Sequence, residues 1–342
     1  MTEASALSPL DGTSMMTEPL VSICIPAYQG SRWIQDTIAS ALAQDYQRVE
    51  IVVADDLSTD GTAEVAEGIS DARVRVVRSN RRLGMAGNWN RSVQLAQGDY
   101  VKFLMQDDLL DPTCVSRMAT ILAANPSVGF VFSLRTIEVE DPADAGSVRL
   151  ARKLRALPER FGALGEVNDG RAIFDAMRRT GFRGNWIGEP TAVMVRRDAL
   201  RRVGLFNTRL RQLTDLEMWL RLAFFFDVGF VPAPLATFRL HPTSATSANA
   251  AAGDAWLDRP WLLEGLRSHP EIRPSLRLET QTKVWAVTLG AEGKRLVTHR
   301  GRGRYAYPSQ LRELHRSRLD PSGSLHERLD ADGLADTAGR TP

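Results

Sequence analysis

The chain has 342 residues, of which 43% are hydrophobic, which is enough material for one large domain or two modest ones with a sizeable core. Its 43 lysines and arginines nearly balance its 41 aspartates and glutamates, and the formal charge of +2 does not indicate a dedicated nucleic-acid binder. Cys24 and Cys114 lie in apolar contexts without the short Cys or His spacing of a zinc or redox site. We therefore predict that both cysteines are core residues.

The sequence contains no window that approaches 18 uncharged apolar residues, so no membrane span is predicted. The strongest candidate, at 222–238, is interrupted by Pro232 and Pro234. Residues 1–19 lack the positive start and apolar stretch of a signal peptide, and we interpret them as a flexible leader. A cytoplasmic location follows by default.

From Leu20 onward, short β-branched runs alternate with amphipathic stretches. The predicted strands of this region lie at 21–25, 49–53, 74–77 and 100–104, and the predicted helices at 33–43, 62–69, 85–96 and 113–123. Such alternation is typical of an α/β protein in which a mostly parallel sheet is covered by helices on both faces. Ligands of open sheets collect at the carboxyl ends of the strands, where connecting loops converge.

The second half of the chain is less regular. Residues 138–167 are charged and lose their periodicity, so we interpret them as an insertion or mobile loop. Further elements are predicted as helices at 172–179 and 216–226, an apolar run at 191–195, and strands near Val228 and Leu235. The C-terminal part is predicted to comprise a linker at 245–256, a helical region at 257–319 and disorder after Pro321.

The first chemically unusual loop follows the apolar run at 51–53. Asp60 and Thr62 precede a predicted helix, and helix capping explains Asp60. Capping does not explain the adjacent Asp55 and Asp56, whose mutual repulsion costs stability unless a ligand compensates for it. We predict that this pair accepts hydrogen bonds from a base edge or a ribose.

Two further acidic positions follow the same logic. Asp107 and Asp108 end an apolar run and offer the hard oxygen ligands that Mg²⁺ or Mn²⁺ takes when it also binds phosphates, although a solvated turn before Pro112 is the alternative. Asp215 begins an amphipathic helix. It either complements the helix dipole or serves as a general base that faces a cleft, and the residues alone leave both open.

These motifs resemble the family 2 inverting glycosyltransferases over about 20–246. The resemblance rests on the segments 21–28, 38–42, 49–62, 82–84, 88–90, 96–100, 103–108, 204–206, 214–215 and 239–241. It implies a Rossmann-like GT-A fold, with a nucleotide-binding half at 20–135 and an acceptor and catalytic half at 170–246. A helical C-terminal extension at 247–320 and a disordered tail at 321–342 would follow.

The resemblance implies transfer of a sugar from a nucleoside-diphosphate sugar, with a UDP-sugar expected, to a hydroxyl of a glycan or lipid-linked acceptor. The positions that it assigns to the donor are Pro26, Ala27 and Tyr28 around the base, Asp56 as acceptor from the base, Asp55 beside it, and Arg82.

The resemblance also assigns a metal site and a catalytic base. Asp107 occupies the last position of the family's Asp-any-Asp motif and is expected to bind Mg²⁺ or Mn²⁺, although Met105 and Gln106 fill the first two positions. His241 is expected to ligate the metal or donate to phosphate, with a structural role as the alternative. Asp215 matches the family's general base, and Thr214 stands where a Glu is usual.

The segment 185–190 resembles the family's acceptor-side loop. Its Trp186 is expected either to stack on a sugar face or to belong to the core, and Glu189 is assigned to the acceptor side. The basic C-terminal run lies outside the resemblance and is either a solvated face or a peripheral contact with anionic lipid at the inner membrane surface. It comprises Lys294, Arg295, Arg300, Arg302, Arg304, Arg312, Arg316 and Arg318.

Two alternatives to an active transferase remain at this stage. The departures at Met105 and Thr214 are compatible with a catalytically silent homologue that binds nucleotide or carbohydrate without transfer. A nucleotidyltransferase shares the same type of sheet, but it requires a glycine-rich, basic, phosphate-gripping segment near the first strand. Residues 26–30 do not provide one.

Overall fold

The computed structural model describes residues 18–155, 158–244, 246–247 and 254–276, together with Leu278, Thr282 and Ala286. Most of the predicted leader, most of the predicted linker, the basic run at 294–318 and the predicted disordered tail lie outside the described residues.

The described strands form one twisted sheet. They are β1 (Val21–Ala27), β2 (Val49–Asp55), β3 (Val74–Arg78), β4 (Tyr100–Phe103), β5 (Leu109–Leu110), β6 (Val128–Val139), β7 (Val167–Asn168), β8 (Val193–Arg196) and β9 (Asp227–Leu240). The order is β3-β2-β1-β4-β8-β6-β9-β5, with β7 beside β9. Pairing is parallel from β3 to β4 and between β6 and β9, whereas β8 runs antiparallel between β4 and β6.

Helices cover both faces of this sheet, which confirms the predicted α/β class. They are α1 (Ile34–Leu42), α2 (Thr62–Glu67), α3 (Met85–Leu95), α4 (Cys114–Ala124), α5 (Ala145–Arg155), α6 (Gly170–Arg179), α7 (Arg197–Val203), α8 (Thr214–Phe225) and α9 (Asp254–Ser268). One core joins the sheet to α1, α2 and α4, and the other joins it to α3, α6, α7, α8 and α9. Neighbouring strand residues enter opposite cores, as Ile23 and Cys24 do, because side chains alternate along a strand. Cys24 and Cys114 are both buried, as predicted.

The interpretation of 138–167 as an insertion or mobile loop is wrong for much of its length. Strand β6 extends to Val139, and α5 follows with Ala151 packed in a small core against Ile137 and Phe238. The apolar side of α5 is short and its exposed side is rich in Arg and Lys, so the charge obscured the helical period.

The two strands predicted near Val228 and Leu235 are one continuous strand, β9, which contains Pro232 and Pro234. The register against β6 shifts beside these prolines, at Ser133 and Leu134. A bulge accommodates residues that lack a backbone N–H, so the strand can continue through them.

Helix α8 is fixed to the chain before it by Arg221, whose guanidinium forms a buried ion pair within the helix and also bonds the end of α7. Both the Arg221 and Glu217 side chains are fully buried, and Arg221 Nε lies 3.0 Å from Glu217 Oε1. The guanidinium also donates to the carbonyl oxygens of Val203, Gly204 and Leu205, at 2.5, 3.0 and 2.7 Å. This arrangement satisfies the carbonyls where α7 ends and orients α8 relative to that turn.

We expect an Arg221→Met variant to lose at least about 3 kcal/mol of unfolding free energy, because it leaves the buried Glu217 carboxylate and three carbonyls without the guanidinium. Urea unfolding measures the loss. The matched control is Arg201→Met, which breaks the exposed ion pair with Asp198 and is expected to stay within about 0.5 kcal/mol of the wild type. Equal effects of the two substitutions would contradict the assignment.

Candidate active site

A cavity of about 630 Å³ opens where β1, β2 and β4 end, and the start of α8 and the end of β9 close it. The residues predicted to be functional that line it are Pro26, Ala27, Tyr28, Asp56, Arg82, Asp107, Glu189, Asp215 and His241. The structure thus brings together acidic residues that lie far apart in the chain, as the sequence predicts. Their chemical roles remain predictions.

Asp56 directly follows β2, lines the cavity and is almost inaccessible to solvent. Its Oδ1 accepts from the backbone N–H of Leu83 at 2.7 Å, and its Oδ2 accepts from that of Gly84 at 2.9 Å and from the Arg82 guanidinium. Gly84 has a φ of +77°, a left-handed conformation that favours glycine. The carboxylate therefore shapes the loop before α3 as well as facing the cavity.

Tyr28 presents a half-exposed ring to the cavity, and the Arg82 guanidinium lies over that ring. Gln106 holds the backbone of Tyr28 in place, since its Oε1 accepts from Tyr28 N at 2.6 Å and its Nε2 donates to Tyr28 O at 2.9 Å. The residue in the middle of the expected metal motif thus fixes the backbone of Tyr28, which the sequence predicts to contact a nucleotide base.

Asp107 and His241 meet in the cavity although 134 residues separate them. Asp107 Oδ2 lies 3.0 Å from His241 Nε2, and His241 Nδ1 lies 2.9 Å from Thr243 Oγ1. The ring of Trp33 packs against the imidazole at 5.4 Å between centroids. A carboxylate oxygen and an imidazole nitrogen at this spacing are two candidate ligands for one divalent cation.

Asp108 is fully buried and lies outside the lining of the cavity. It accepts from the Thr191 hydroxyl and from the backbone N–H of Arg239 at 3.0 Å. Burial, with Asp107 as a neighbouring negative charge, raises the pKa of Asp108 well above its usual range. Its contacts join the loop after β4 to β9, so its role is structural.

Asp215 lies in the first turn of α8 and is accessible from the cavity. Its Oδ2 accepts from Asn185 Nδ2 at 2.8 Å and its Oδ1 from the backbone N–H of Leu216 at 2.6 Å. Burial raises the pKa of Asp215 to about 7; the Leu216 and Asn185 hydrogen bonds oppose the shift, and the Glu189 carboxylate adds to it. Such a carboxyl group changes its protonation state near neutral pH.

Glu189 lines the cavity and forms an ion pair with Arg135, whose side chain is almost fully buried. Arg135 Nε lies 2.5 Å from Glu189 Oε2, and Arg135 Nη2 also donates to Leu154 O in α5 at 3.3 Å. The segment expected to form the acceptor side is thus connected to the helix that the sequence interpretation missed.

Two predicted site residues lie away from the cavity lining. Asp55 is buried and its Oδ2 accepts from Ser58 N at 3.0 Å, so it supports the loop, and its role beside a bound base stays a prediction. The Trp186 ring lies in the core against Phe161, and its Nε1 donates to Arg183 O at 2.9 Å. The structure therefore favours the core alternative for Trp186 over stacking on a sugar.

The sequence interpretation did not single out several lining residues. Asn185 lies outside the cavity lining but bonds Asp215; it was noted only as part of the acceptor-side segment, because a lone Asn carries no signal of its own. Residues after His241 are rich in hydroxyl groups, and that composition was a usable signal. The lining residues that were missed are Gln29, Ser31, Arg32, Trp33, Asp60, Met85, Asn88, Trp89, Pro190, Arg211, Gln212, Phe238, Thr243, Ser244 and Thr246.

Comparison with known proteins decides the family. Residues 22–204 match the family model described as Glycosyl transferase family 2. The chain belongs to this family. An uncharacterized protein of Mycobacterium tuberculosis is 33% identical over 273 residues, which cover 79% of this chain and 83% of that protein.

The family model and named relatives show that this chain is a glycosyltransferase, and a solved structure shows its fold. The putative teichuronic acid biosynthesis glycosyltransferase TuaG of Bacillus subtilis is 30% identical over 209 residues, 60% of this chain and 72% of TuaG. The UDP-Glc:alpha-D-GlcNAc-diphosphoundecaprenol beta-1,3-glucosyltransferase WfaP of Escherichia coli is 40% identical over 97 residues, 28% of this chain and 39% of WfaP. Staphylococcus aureus TarS 1-349 in complex with UDP-GlcNAc has a TM-score of 0.55 at 14% identity, covering 89% of this chain and 82% of that one. This likeness confirms the GT-A fold of the glycosyltransferase.

The described residues of the glycosyltransferase include no helix that combines the length and the apolar character needed to cross a bilayer.

Asp215 also affects the stability of this glycosyltransferase. Between about pH 4, the pKa of an unfolded Asp, and pH 7, the folded state keeps a proton that the unfolded chain has released. Unfolding free energy therefore falls as pH rises through this window. We expect Asp215→Asn to gain roughly 1 to 3 kcal/mol over the wild type at pH 8 relative to pH 4.5, measured by urea unfolding at both pH values. A difference that does not change with pH would contradict the raised pKa.

Proposed function

We propose that this glycosyltransferase moves a sugar from a UDP-sugar to a hydroxyl of a glycan or lipid-linked acceptor, with inversion at the anomeric carbon. The observation that carries this proposal is the convergence of Asp56, Asp107 and Asp215 on one cavity. The printed names of relatives support the substrate class, since WfaP is named for a UDP-Glc donor and a diphosphoundecaprenol-linked acceptor, and TarS was solved with UDP-GlcNAc.

The donor side would receive the nucleotide base against the ring of Tyr28. Asp56 has two oxygens and accepts three hydrogen bonds from the loop at 82–84, which leaves acceptor capacity for an N–H on the edge of a base. The Arg82 side chain is 41% exposed, so it can move from the Tyr28 ring and remain near the negative charge of a donor. Uracil carries the required N–H.

Asp107 and His241 would hold Mg²⁺ or Mn²⁺, because their oxygen and nitrogen ligands suit either ion and both line the cavity. Within the described part of the chain no cluster of three or more His, Cys, Asp or Glu residues could hold a metal ion. Phosphate oxygens of the donor and water would therefore complete the coordination shell. The bound ion would neutralise charge on the departing diphosphate.

Asp215 would act as the general base. As the acceptor oxygen bonds to the anomeric carbon, its proton passes to the Asp215 carboxylate, and the bond from that carbon to the diphosphate breaks. A pKa of about 7 matches proton removal near neutral pH. Asn185 fixes the direction of one Asp215 oxygen, and the ion pair with Arg135 keeps Glu189 as an oriented acceptor for substrate hydroxyls.

The second candidate is a silent homologue that binds a nucleotide sugar without transfer, and it is favoured by Met105 in the cavity where the family motif has its first Asp. Calorimetry with UDP and Mn²⁺, followed by a donor-hydrolysis assay, separates the two. Binding without turnover across a panel of UDP-sugars would favour the silent homologue.

We expect Asp215→Asn to lower transfer at least about 1,000-fold, because the amide cannot take the acceptor proton, and to leave the Kd for UDP nearly unchanged. Wild-type kcat should rise with pH through an acid limb near 7, where Asp215 loses its proton. The measurements are UDP release across pH and calorimetry. Asp169→Asn is the control, since Asp169 caps α6 outside the cavity and should retain full activity. Full activity of Asp215→Asn would remove the proposed mechanism.

We expect Asp107→Asn to weaken UDP binding in Mn²⁺ by about 10-fold or more, and to change it little in EDTA, because a neutral amide is a poorer ligand than a carboxylate. Calorimetry in the two buffers gives the ratio. Asp111→Asn is the matched control, since Asp111 caps the turn at Thr113 and lies outside the cavity lining. A metal-independent loss in Asp107→Asn would contradict the assigned site.

A further inference from the structure

Helix α9 contacts the loop that leads into α8. The backbone N–H groups of Arg211, Gln212 and Leu213 all donate to Asp258 Oδ2, at 2.9, 2.5 and 2.9 Å. Asp258 belongs to α9 and is 3% exposed. The loop is part of the cavity wall, since Arg211 and Gln212 line it together with Asp215.

These three N–H groups lie at the N-cap of α8 and in the two residues before it, where the helix itself offers them no acceptor. A buried N–H group without an acceptor is costly, so this loop depends on an acceptor from elsewhere in the fold. The Asp258 carboxylate, 45 to 47 residues further along the chain, accepts all three in charge-assisted hydrogen bonds.

The next residue of α9, Arg259, holds a second loop, the one that leads to Asn185. Arg259 is 5% exposed, and its Nη1 donates to Gly181 O at 3.1 Å and to Phe182 O at 2.8 Å. Gly181 and Phe182 have φ values of +67° and +56°, so this turn has an uncommon backbone that requires support. It leads directly to Asn185, which bonds Asp215 at 2.8 Å.

We propose that Asp258 and Arg259 are positioning residues, through which α9 holds the two loops that present Asp215 and Asn185 to the acceptor. This inference rests on the proposed role of Asp215 as the base. With this role, α9, the described start of the C-terminal extension, would support the geometry of the active site. Its apolar residues Trp261, Leu263 and Leu266 pack in the same core as α8 and keep the two polar contacts in place.

Release of either loop would admit water to Asp215 and turn its carboxylate away from the attacking hydroxyl. The charged groups around Asp215 are Glu189, paired with Arg135, and Arg211 in the adjoining loop. None of these three groups is changed in the variants of the experiment that follows. Hydration of Asp215 lowers its pKa whichever loop is freed. A purely electrostatic effect would instead have opposite signs at the two positions. Loss of the Asp258 negative charge would lower the pKa of Asp215, and loss of the Arg259 positive charge would raise it.

The experiment uses the full chain with Asp258→Asn and Arg259→Gln, and Glu271→Gln as control. Glu271 pairs with Arg202 on the surface just after α9, at 2.8 Å. We expect kcat for UDP release to fall about 10-fold or more in the first two variants, with donor KM within about 2-fold. The acid limb of kcat should move to lower pH in both. Calorimetry with UDP and Mn²⁺ should keep the wild-type number of sites, which shows that the active fraction is unchanged, and the control should match the wild type throughout.

Wild-type kcat and pH dependence in both variants would overturn the proposal, and so would acid limbs that move in opposite directions. Should Asp258→Asn fail to fold, Asp258→Glu and Arg259→Gln carry the test, since the longer carboxylate retains the charge and is expected to restore part of the lost kcat. An active Asp215→Asn enzyme would refute the proposed base itself. An inactive Asp215→Asn together with normal α9 variants would refute only the positioning role.

Discussion

Hydrogen bonds from backbone N–H groups to buried carboxylates hold the wall of the cavity together. Asp56 accepts from the loop before α3, Asp108 from β9, Asp215 from the first turn of α8, and Asp258 from the loop before it. A buried carboxylate is costly without such donors, and a loop N–H is costly without an acceptor. For Asp56, Asp108 and Asp258, whose partners lie far away in the chain, each bond therefore fixes a segment of the cavity wall and an acid at the same time.

The number of hydrogen bonds that each carboxylate accepts from the protein separates the acids that support the fold from those that remain available to bind a ligand. Both oxygens of Asp108 are engaged by protein groups inside the core, and Asp258 is almost completely buried by the loop that it holds. Among the residues that the structure describes, Asp107 instead bonds His241 at the cavity wall, and Asp215 bonds one side-chain amide and one backbone N–H. A carboxylate in this fold is therefore a candidate for binding or catalysis when it keeps unused lone pairs that face the cavity, and not simply because it is acidic.

The sequence predicted the features that depend on local pattern. The period of hydrophobic residues located β1 to β4 and their helices, and acids at strand ends pointed to the cavity. It failed where a tertiary contact decides the outcome. Asp55 and Asp56 are indistinguishable as a dipeptide, yet only Asp56 faces the cavity, because successive side chains at a strand end point to opposite sides. Asp258 carried no signal, since its partners are backbone groups 45 to 47 residues away.

The departures from the family pattern have local structural counterparts. Met105, at the first Asp position, packs against the core, and its backbone N–H donates to Thr191 Oγ1 at 3.1 Å. The Thr214 hydroxyl donates to Leu210 O at 3.1 Å inside the turn that starts α8. At both positions an uncharged side chain that is held by the protein thus stands where the family usually has a carboxylate. With fewer negative charges, the proposed site at Asp107 and His241 would hold a free cation weakly. Phosphate oxygens would then supply most of the ligands, so the cation and the donor would bind together, each raising the affinity for the other.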